Sequence, residues 1–320
     1  MKYLFVLFFT IALAACSDSN GGVSRNLVSF SDAPGPFAVG KRTDVVIHDS
    51  ARNRDVTATF WYPTNGENTG PEQADEGAGL ITGKQIFPLV VLVHGIEDSA
   101  PATWPYLAPH LASHGYIVVA PSTGSTFTTR EDLVNHPGDV SFLIDTVLGK
   151  NHTENMFLER IDEDKIAVGG FSFGGAATYM LVYNPLYKDP RIKAAIIMAG
   201  GGDDPAPVNP NISLLTIFGT EDILIPYDFG LNIYEAANPP KYLVTLEGGG
   251  HVGFTSSNNV NIGASMDQRR QQALVRLSVF AYLTSVFDTR VENRVAARNF
   301  LINSFAEVNS DVGVFAELDQ

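Results

Sequence analysis

The sequence contains a single cysteine, Cys16, among its 320 residues. An internal disulfide and a cysteine-based metal site are therefore excluded, and a nucleophile in the body of the chain must be an oxygen or nitrogen atom. No run of eighteen apolar residues occurs that could span a bilayer. Basic residues are scarce, with 21 Lys and Arg against 35 Asp and Glu and a net charge of −14, which argues against nucleic-acid binding.

The rest of the composition is that of an ordinary globular protein. Hydrophobic residues make up 45% and charged residues 18% of the chain, which excludes a disordered or fibrous polypeptide. A chain of this length can bury one large α/β core or fold as two smaller domains. No convincing linker and no internal repeat interrupts it, which favours a single domain.

The first sixteen residues have the pattern of an export signal. Lys2 precedes an apolar stretch at residues 4–12, and small residues lead into Cys16. The ending Leu-Ala-Ala-Cys resembles the bacterial lipoprotein signal, in which the cysteine becomes the lipidated first residue of the mature chain. We therefore expect a signal peptide over residues 1–15 and a flexible tether over residues 16–34.

Two other interpretations of this segment stay open. The signal is cleaved nearby with Cys16 incidental, or the apolar stretch is a buried first strand, which the polar residues 17–22 disfavour. Because Ser17 rather than an aspartate follows the cysteine, the sorting rule of the lipoprotein family implies the outer membrane. The expected location is therefore a bacterial membrane, reached by export.

Apolar runs that are short and continuous predict a mainly parallel β-sheet. Two β-rich runs at residues 43–48 and 56–62 are joined by a polar segment and predict an antiparallel hairpin. Each later run suits a strand buried on both faces. These later runs lie at residues 89–93, 116–120, 166–169, 194–198, 214–218 and 242–246.

Helical patterns alternate with these strands and predict crossover connections, with helices on both faces of the sheet. The candidate helices cover residues 104–114, 139–148, 174–183 and 268–287. The prediction is an α/β fold with an eight-stranded, mostly parallel sheet that has an antiparallel amino-terminal edge, in one domain over residues 35–290. Residues 64–86 are expected to form a loop. Residues 291–320, with a short helical pattern and an acidic tail, have no functional interpretation.

A serine stands in a glycine-rich turn between a predicted strand and a predicted helix. Residues 170–174 read Gly-Phe-Ser-Phe-Gly, with Ser172 at the centre, and this Gly-x-Ser-x-Gly pattern in a strand–turn–helix context is typical of a nucleophile. Flanking glycines let the two backbones approach closely, and the helix N-terminus offers amides to negative charge. A glycine-rich structural turn is the alternative.

A serine nucleophile needs a base, and the base needs an orienting group. Asp222 and His251 each follow a predicted strand, so both lie at the sheet edge where ligands bind in open α/β folds. His251 is the only histidine after Ser172. The alternatives are a turn role for Asp222, competition from Glu221, and a surface position for His251.

The amides of Ile96 and Phe173 are the candidates for an oxyanion hole. Gly95 follows a predicted strand and lets the amide of Ile96 turn toward the site, where the amide of Phe173 follows the nucleophile. His94 is expected to orient this loop through hydrogen bonds, with proton transfer as the alternative.

The remaining histidines carry no pattern of their own. His110, His114, His136 and His152 are expected at the surface or at helix ends. No spacing such as His-Glu-x-x-His indicates a metal, and the sequence implies no cofactor.

These motifs together resemble the α/β-hydrolases. The closer resemblance is to predicted dienelactone hydrolases, platelet-activating-factor acetylhydrolases, chlorophyllase-like proteins and their bacterial lipoprotein relatives, over most of residues 35–287. It rests on the segments at residues 35–40, 61–64, 94–95, 107–121, 136–140, 170–175 and 250–254.

Two differences from related families limit what the resemblance implies. Dienelactone hydrolases use a cysteine nucleophile, whereas this chain has Ser172, so lactone specificity is not carried over. Secreted polyester hydrolases share the Gly-Pro-x-x-Val-Gly start and a serine triad, but those compared carry a disulfide that this chain cannot form.

The predicted function is a serine carboxylic ester hydrolase. Ser172 attacks the acyl carbon, His251 moves the proton and Asp222 orients His251, on a neutral, small-molecule or lipid-like ester of small to modest acyl size. The alternatives are a non-catalytic surface-binding lipoprotein on the same fold, or a polyester, aromatic-ester or phospholipid acetyl hydrolase. Thioesters and amides are open to the same triad.

The substrate pocket is expected to have apolar walls and an acidic rim. Acidic pairs at residues 97–98 and 203–204 would repel anionic esters, unless they are solvated loop charges. Besides the oxyanion residues, the residues predicted to bind substrate are Glu97, Trp104, Val252 and Phe254.

The lipid anchor can be tested at one residue. Cys16→Ser should abolish lipidation, because the chain has no other thiol to receive the lipid. Metabolic labelling with a fatty-acid probe in the producing bacterium measures this. Label retained on the variant would show that the signal was misinterpreted.

Overall fold

The computed structural model describes residues 29–67, 74–96, 99–122, 130–149, 156–202, 212–256 and 263–318. Ten strands form one sheet in the order β10-β9-β8-β7-β6-β4-β5-β2-β1-β3. The strands are β1 Ala38–Asp49, β2 Arg54–Thr64, β3 Asp75–Glu76, β4 Phe87–Val93, β5 Ile117–Ser122, β6 Ile161–Phe171, β7 Ile192–Met198, β8 Ser213–Gly219, β9 Lys241–Leu246 and β10 Val312–Glu317.

The centre of the sheet is parallel, and an antiparallel pairing flanks it on each side. Strands β5, β4, β6, β7, β8 and β9 pair in parallel. The hairpin of β1 and β2 pairs antiparallel with β5 on one side, and β10 pairs antiparallel with β9 on the other. The predicted α/β class and amino-terminal hairpin are confirmed.

Helices cover both faces of the sheet, as expected for strands whose side chains are buried above and below. The helices are α1 Ala100–Thr103, α2 Ala108–Ser113, α3 Arg130–Val147, α4 Phe173–Tyr183, α5 Tyr227–Ala236, α6 Gln268–Phe287, α7 Val291–Asn299 and α8 Phe305–Val308. One core contains residues of α2 and α6, and the core on the other face contains residues of α3, α4 and α5.

Several element predictions differ from the structure. The sequence predicts eight strands and misses the two-residue β3, which lies in the expected loop at 64–86, and β10 in the acidic tail. It also misses α5. The helix predicted at 104–114 covers only residues 108–113, as α2. Pro109 has no amide for an interior helical hydrogen bond, and a start at Ala108 places it in the first turn, where none is needed.

Helix α3 begins nine residues before the predicted start and runs through Pro137. It presents the fully buried Asp139 to two arginines of the hairpin turn. Arg54 binds the carboxylate through Nε and Nη2, both at 3.0 Å, and Arg52 Nη1 lies 2.8 Å from it. The polar hairpin segment therefore neutralises a buried charge.

Residues 30–34 do not belong to a flexible tether, contrary to the prediction that it extends to residue 34. Phe30 stacks on Phe300 with ring centroids 4.9 Å apart, and Asp32 forms an ion pair with Arg276 of α6. An apolar ring and an ion pair thus fix this segment to the body. The predicted signal peptide, Cys16 and residues 16–28 lie outside the described residues.

Residues 291–318 pack against the body at the end of the sheet. Helix α7 contacts α6, and a π-helical turn at Phe300–Ser304 leads through α8 to β10. Arg270 of α6 binds Asp311 through Nε at 2.9 Å and Nη2 at 2.7 Å. The carboxyl-terminal segment therefore continues the same sheet. Among the residues that the structure describes, no helix is long and apolar enough to cross a membrane.

His110 and His136, expected at the surface or at helix ends, are both buried. His110 lies in the last turn of α2, whereas His136 lies inside α3, so the prediction is wrong for His136. His110 packs against His114, with ring centroids 4.7 Å apart, and edge-on against Phe280. Among the residues that the structure describes, neither ring nitrogen of His110 has a hydrogen-bond partner. Burial, together with His114 and Arg276, lowers the pKa of His110 to about 3, and burial lowers that of His114 to about 4. His152 lies outside the described residues.

The buried His110 should make folding stability depend on pH. Its pKa is about 3 in the folded state and about 6.5 when unfolded, so in this window the unfolded chain binds a proton that the folded chain does not. The free energy of unfolding should then fall by about 1.4 kcal/mol per pH unit from this residue as pH drops below about 6.5. His110→Leu should remove that share of the slope.

Urea unfolding of the wild type and His110→Leu between pH 4.5 and 7.5 measures the difference. His48→Gln is the control, because His48 is a half-exposed histidine on the hairpin. Equal slopes for wild type and His110→Leu would contradict the prediction.

Candidate active site

Ser172 occupies a strained turn between β6 and α4. Its backbone has φ 55° and ψ −117°, a conformation that non-glycine residues rarely adopt and that costs of order 1–3 kcal/mol. The amide of Ser172 donates to the carbonyl of Met198 at the end of β7 at 3.0 Å. This hydrogen bond fixes the turn to the neighbouring strand β7.

Three glycines allow the backbones around this turn to meet. A Cβ at Gly170 would lie 2.0 Å from the carbonyl oxygen of Gly174, and one at Gly174 would lie 2.1 Å from that of Val93. A Cβ at Gly200 would lie 2.1 Å from the carbonyl oxygen of Ser172. Side chains at these positions would push the serine out of place.

The structure brings Ser172, His251 and Asp222 together at the carboxyl ends of β6, β9 and β8. The Oγ of Ser172 lies 3.0 Å from Nε2 of His251. The Nδ1 of His251 lies 2.7 Å from Oδ2 of Asp222. This is the arrangement in which an imidazole can accept the serine proton while a carboxylate orients it.

The side chain of Asp222 is fixed by its own loop. Its Oδ1 accepts the amides of Leu224 at 2.9 Å and Ile225 at 2.8 Å, which leaves Oδ2 for His251. The carboxylate of the neighbouring Glu221 instead accepts the amide of Ser265 at 2.5 Å. Asp222 rather than Glu221 therefore faces the histidine.

The loops that carry Asp222 and His251 are joined by backbone hydrogen bonds. The amide of Glu221 donates to the carbonyl of Gly249 at 2.9 Å, and the amide of Gly248 donates to Oγ1 of Thr220 at 2.9 Å. The distance between the carboxylate and the imidazole is thus fixed by main chain as well as by side chains.

The predicted oxyanion residues adjoin the serine. Gly95 packs so closely that a Cβ there would lie 3.4 Å from the Cβ of Ser172, which places Ile96 next to it in the turn after β4. Phe173 is the first residue of α4. Buried His94 donates from Nδ1 to the carbonyl of Gly95 at 2.6 Å, as predicted for a residue that orients this loop.

The residues predicted to bind substrate are placed differently from one another. Trp104 and Phe254 have no exposed surface, so neither can contact a substrate in this conformation, and the expectation that they line the pocket is wrong. Phe254 stacks on Phe171 at 5.6 Å, and Phe171 packs against His251 at 4.7 Å, which supports the imidazole from below. Val252 is partly exposed, and Glu97 lies outside the described residues.

Two exposed apolar residues near the site are absent from the sequence prediction. Ile223 and Leu224 directly follow Asp222 and are 66% and 63% exposed. With Ile96, which is 40% exposed, they present apolar surface on loops at the same sheet edge as Ser172. The sequence feature that could have predicted them is the Ile-Leu pair immediately after Asp222. The acidic pairs at residues 97–98 and 203–204 lie outside the described residues.

Comparison with known proteins identifies the family of this chain. A model of the PET hydrolase-like family matches residues 79–298, more than half of the chain. The chain belongs to this family. It is accordingly a carboxylic ester hydrolase with the α/β-hydrolase fold. A search of curated proteins found no match.

A solved structure confirms the fold of this family member. It is similar to a ferulic acid esterase from Streptomyces cinnamoneus, with a TM-score of 0.65 and 22% sequence identity over 81% of this chain and 93% of that chain. Within the described ranges, no group of three or more His, Cys, Asp or Glu side chains is arranged to hold a metal ion.

The two adjacent carboxylates can be distinguished by substitution. Asp222→Asn should lower kcat/KM by roughly 10⁴-fold, because an amide cannot stabilise the imidazolium of His251. Glu221→Gln should change the rate little, since Glu221 accepts a loop amide and does not face His251. Steady-state hydrolysis of a chromogenic acetate ester measures both. The reverse ranking would assign the orienting role to Glu221.

Proposed function

We propose that this esterase acts through a Ser172–His251–Asp222 triad and a covalent acyl-enzyme. The observation that carries the proposal is the continuous chain of hydrogen-bond distances, 3.0 Å from Oγ of Ser172 to Nε2 of His251 and 2.7 Å from Nδ1 to Asp222. The serine is only 8% exposed but lies at the sheet edge that is open to ligands in this fold class.

The reaction follows from these positions. His251 Nε2 takes the proton of Ser172 as Oγ attacks the acyl carbon, and the amides of Ile96 and Phe173 stabilise the oxyanion. His251 then donates that proton to the leaving alcohol, which gives the acyl-enzyme. Water, deprotonated by the same nitrogen, releases the acid and restores the serine. The carboxylate of Asp222 stabilises the imidazolium in both halves of the reaction.

We propose a neutral ester of small to modest acyl size as the substrate. Exposed Ile96, Ile223 and Leu224 offer apolar contact on the loops around the triad. The large negative net charge of the chain disfavours the approach of anionic esters.

A second substrate class is an aromatic or polyester chain. The matching family is described as PET hydrolase-like, and the similar solved structure is named a ferulic acid esterase. Exposed apolar residues on separate loops suit an extended aromatic ester. A panel of short aliphatic esters, aromatic diesters and an acetylated phospholipid separates the classes by their kcat/KM.

The location that we propose for the enzyme is a bacterial membrane, to which a lipid on Cys16 anchors it. Its support is the signal-like start of the sequence, with small residues leading into Cys16. An anchored enzyme would meet its ester outside the cytoplasm. The competing proposal is that the protein is a lipoprotein that binds a ligand without catalysis. Measured turnover of an ester would exclude it.

Substitution of the nucleophile tests the proposed chemistry. Ser172→Ala should remove nearly all turnover but leave folding intact, because the covalent step cannot begin. A residual rate of roughly 10³ to 10⁴ over water is compatible with the remaining oxyanion contacts and binding. Hydrolysis of a chromogenic short-chain ester by the purified variants measures the loss.

A matched variant and a covalent probe sharpen the result. The matched variant is Ser141→Ala in α3, which removes a hydroxyl that donates to Asp189 at 2.9 Å. This variant should keep wild-type turnover. A fluorophosphonate should modify the peptide that contains Ser172, as seen by mass spectrometry. Wild-type turnover in Ser172→Ala, or modification of another residue, would overturn the assignment.

A further inference from the structure

We propose that Gln271 is a positioning residue, which holds the loop of His251 so that its imidazole stays between Ser172 and Asp222. The inference rests on the proposed function, since it assigns His251 as the base. It deepens that function by naming the side chain that acts through the histidine without touching substrate.

Gln271 binds both backbone groups of the residue before the histidine. Its Oε1 accepts the amide of Gly250 at 3.1 Å, and its Nε2 donates to the carbonyl of Gly250 at 2.8 Å. The side chain is fully buried, where an unpaired backbone amide or carbonyl would be destabilising. The backbone at residue 250 therefore has one strongly preferred position.

The same side chain also contacts the loop after the histidine. A Cβ at Gly253 would lie 2.0 Å from Oε1 of Gln271, so the amide group packs directly on that backbone. Gln271 thus touches the chain on both sides of His251, at positions 250 and 253.

The loop needs such a fixed point because of its composition. Residues 248–250 are three consecutive glycines, which have the greatest conformational freedom of any residue. An imidazole displaced by about 1 Å loses much of its catalytic effect. Neighbouring glutamines support the far end of the loop, with Gln268 and Gln272 both donating to the carbonyl of Thr255, at 2.7 Å and 2.6 Å.

Gln271 itself is set on a rigid element. Helix α6 is capped by Asp267, whose carboxylate accepts the amides of Arg269 and Arg270 at 2.9 Å and 3.2 Å. Arg270 is held by Asp311 of the carboxyl-terminal segment. The backbone of Asp311 also accepts the amide of Glu247, at the start of the histidine loop, at 2.9 Å.

Only a side-chain amide of this length can make both bonds to Gly250. A methionine of similar volume makes neither, and an ionised glutamate can accept the amide but cannot donate to the carbonyl. Gln271→Met and Gln271→Glu therefore remove two bonds and one bond, respectively, with little change in volume.

The experiment compares kcat, KM and melting temperature for the wild type, Gln271→Met, Gln271→Glu and a control variant. The control is Tyr282→Phe on the same helix, which removes a buried hydrogen bond from Tyr282 to the carbonyl of Ser213, 2.6 Å long. A water-soluble acetate ester is the substrate, and each protein is assayed well below its melting temperature. The low-field proton NMR signal of Nδ1–H of His251 reports the bond to Asp222.

Gln271→Met should lose roughly 10- to 100-fold in kcat with KM little changed, because the substrate contacts remain. Its low-field signal should broaden or disappear. Gln271→Glu should also have a lower kcat. If Gln271→Met fails to fold, the kcat of Gln271→Glu tests the role of Gln271 in its place. Tyr282→Phe should have a lower melting temperature than the wild type but the same kcat and the same low-field signal.

The proposal is overturned if the Gln271 variants keep wild-type kcat and the low-field signal, if only KM changes, or if Tyr282→Phe loses as much kcat as they do. Ser172→Ala in the same series separates the two levels of inference. Turnover that survives in Ser172→Ala refutes the proposed function itself. Turnover that is lost in Ser172→Ala but unchanged in Gln271→Met refutes only the role of Gln271.

Discussion

The close approach of backbones around Ser172 is the constraint on which the rest of the site depends. The carbonyl oxygens of Gly174, Val93 and Ser172 lie where the side chains of Gly170, Gly174 and Gly200 would otherwise be. This packing joins β4, β6, β7 and α4 at one point and keeps a non-glycine residue at φ 55°. The large buried sheet compensates for the local strain of the turn. Ser172 therefore holds its position in the turn before any substrate binds.

The other two residues are positioned by hydrogen bonds from main chain rather than by strain. Asp222 accepts two amides of its own loop, and the loop of His251 is bound to the Asp222 loop and to Gln271. These hydrogen bonds connect the two loops to strand ends and to α6. Ser172 is thus fixed by the centre of the sheet, whereas His251 and Asp222 are fixed by two loops that are bound to each other.

The sequence predicts that Ser172, Asp222 and His251 lie together because each follows a strong apolar strand, and the structure places the three side chains within hydrogen-bond distance. The catalytic roles predicted for them rest on the serine motif and on chain order. Sequence reasoning failed where long-range packing decides. His110 lies on a helix that is buried on every side, so no polar face distinguishes it. Strand β10 exists through its pairing with β9, which local sequence does not encode. Trp104 and Phe254 are aromatic residues near the site, but burial in the core accounts for them.

The amides that hold Asp222 have a consequence for the range of media in which the enzyme can work. Among the described residues, no lysine or arginine pairs with this carboxylate; its partners are the imidazole and two fixed dipoles. Mobile ions cannot replace covalently fixed dipoles in a buried site, and screening acts mainly on exposed charges. The orientation of His251 is thereby insulated from ionic strength, although the surface charge of the chain is not. In both brackish and dilute surroundings the imidazole would keep the same position beside Ser172.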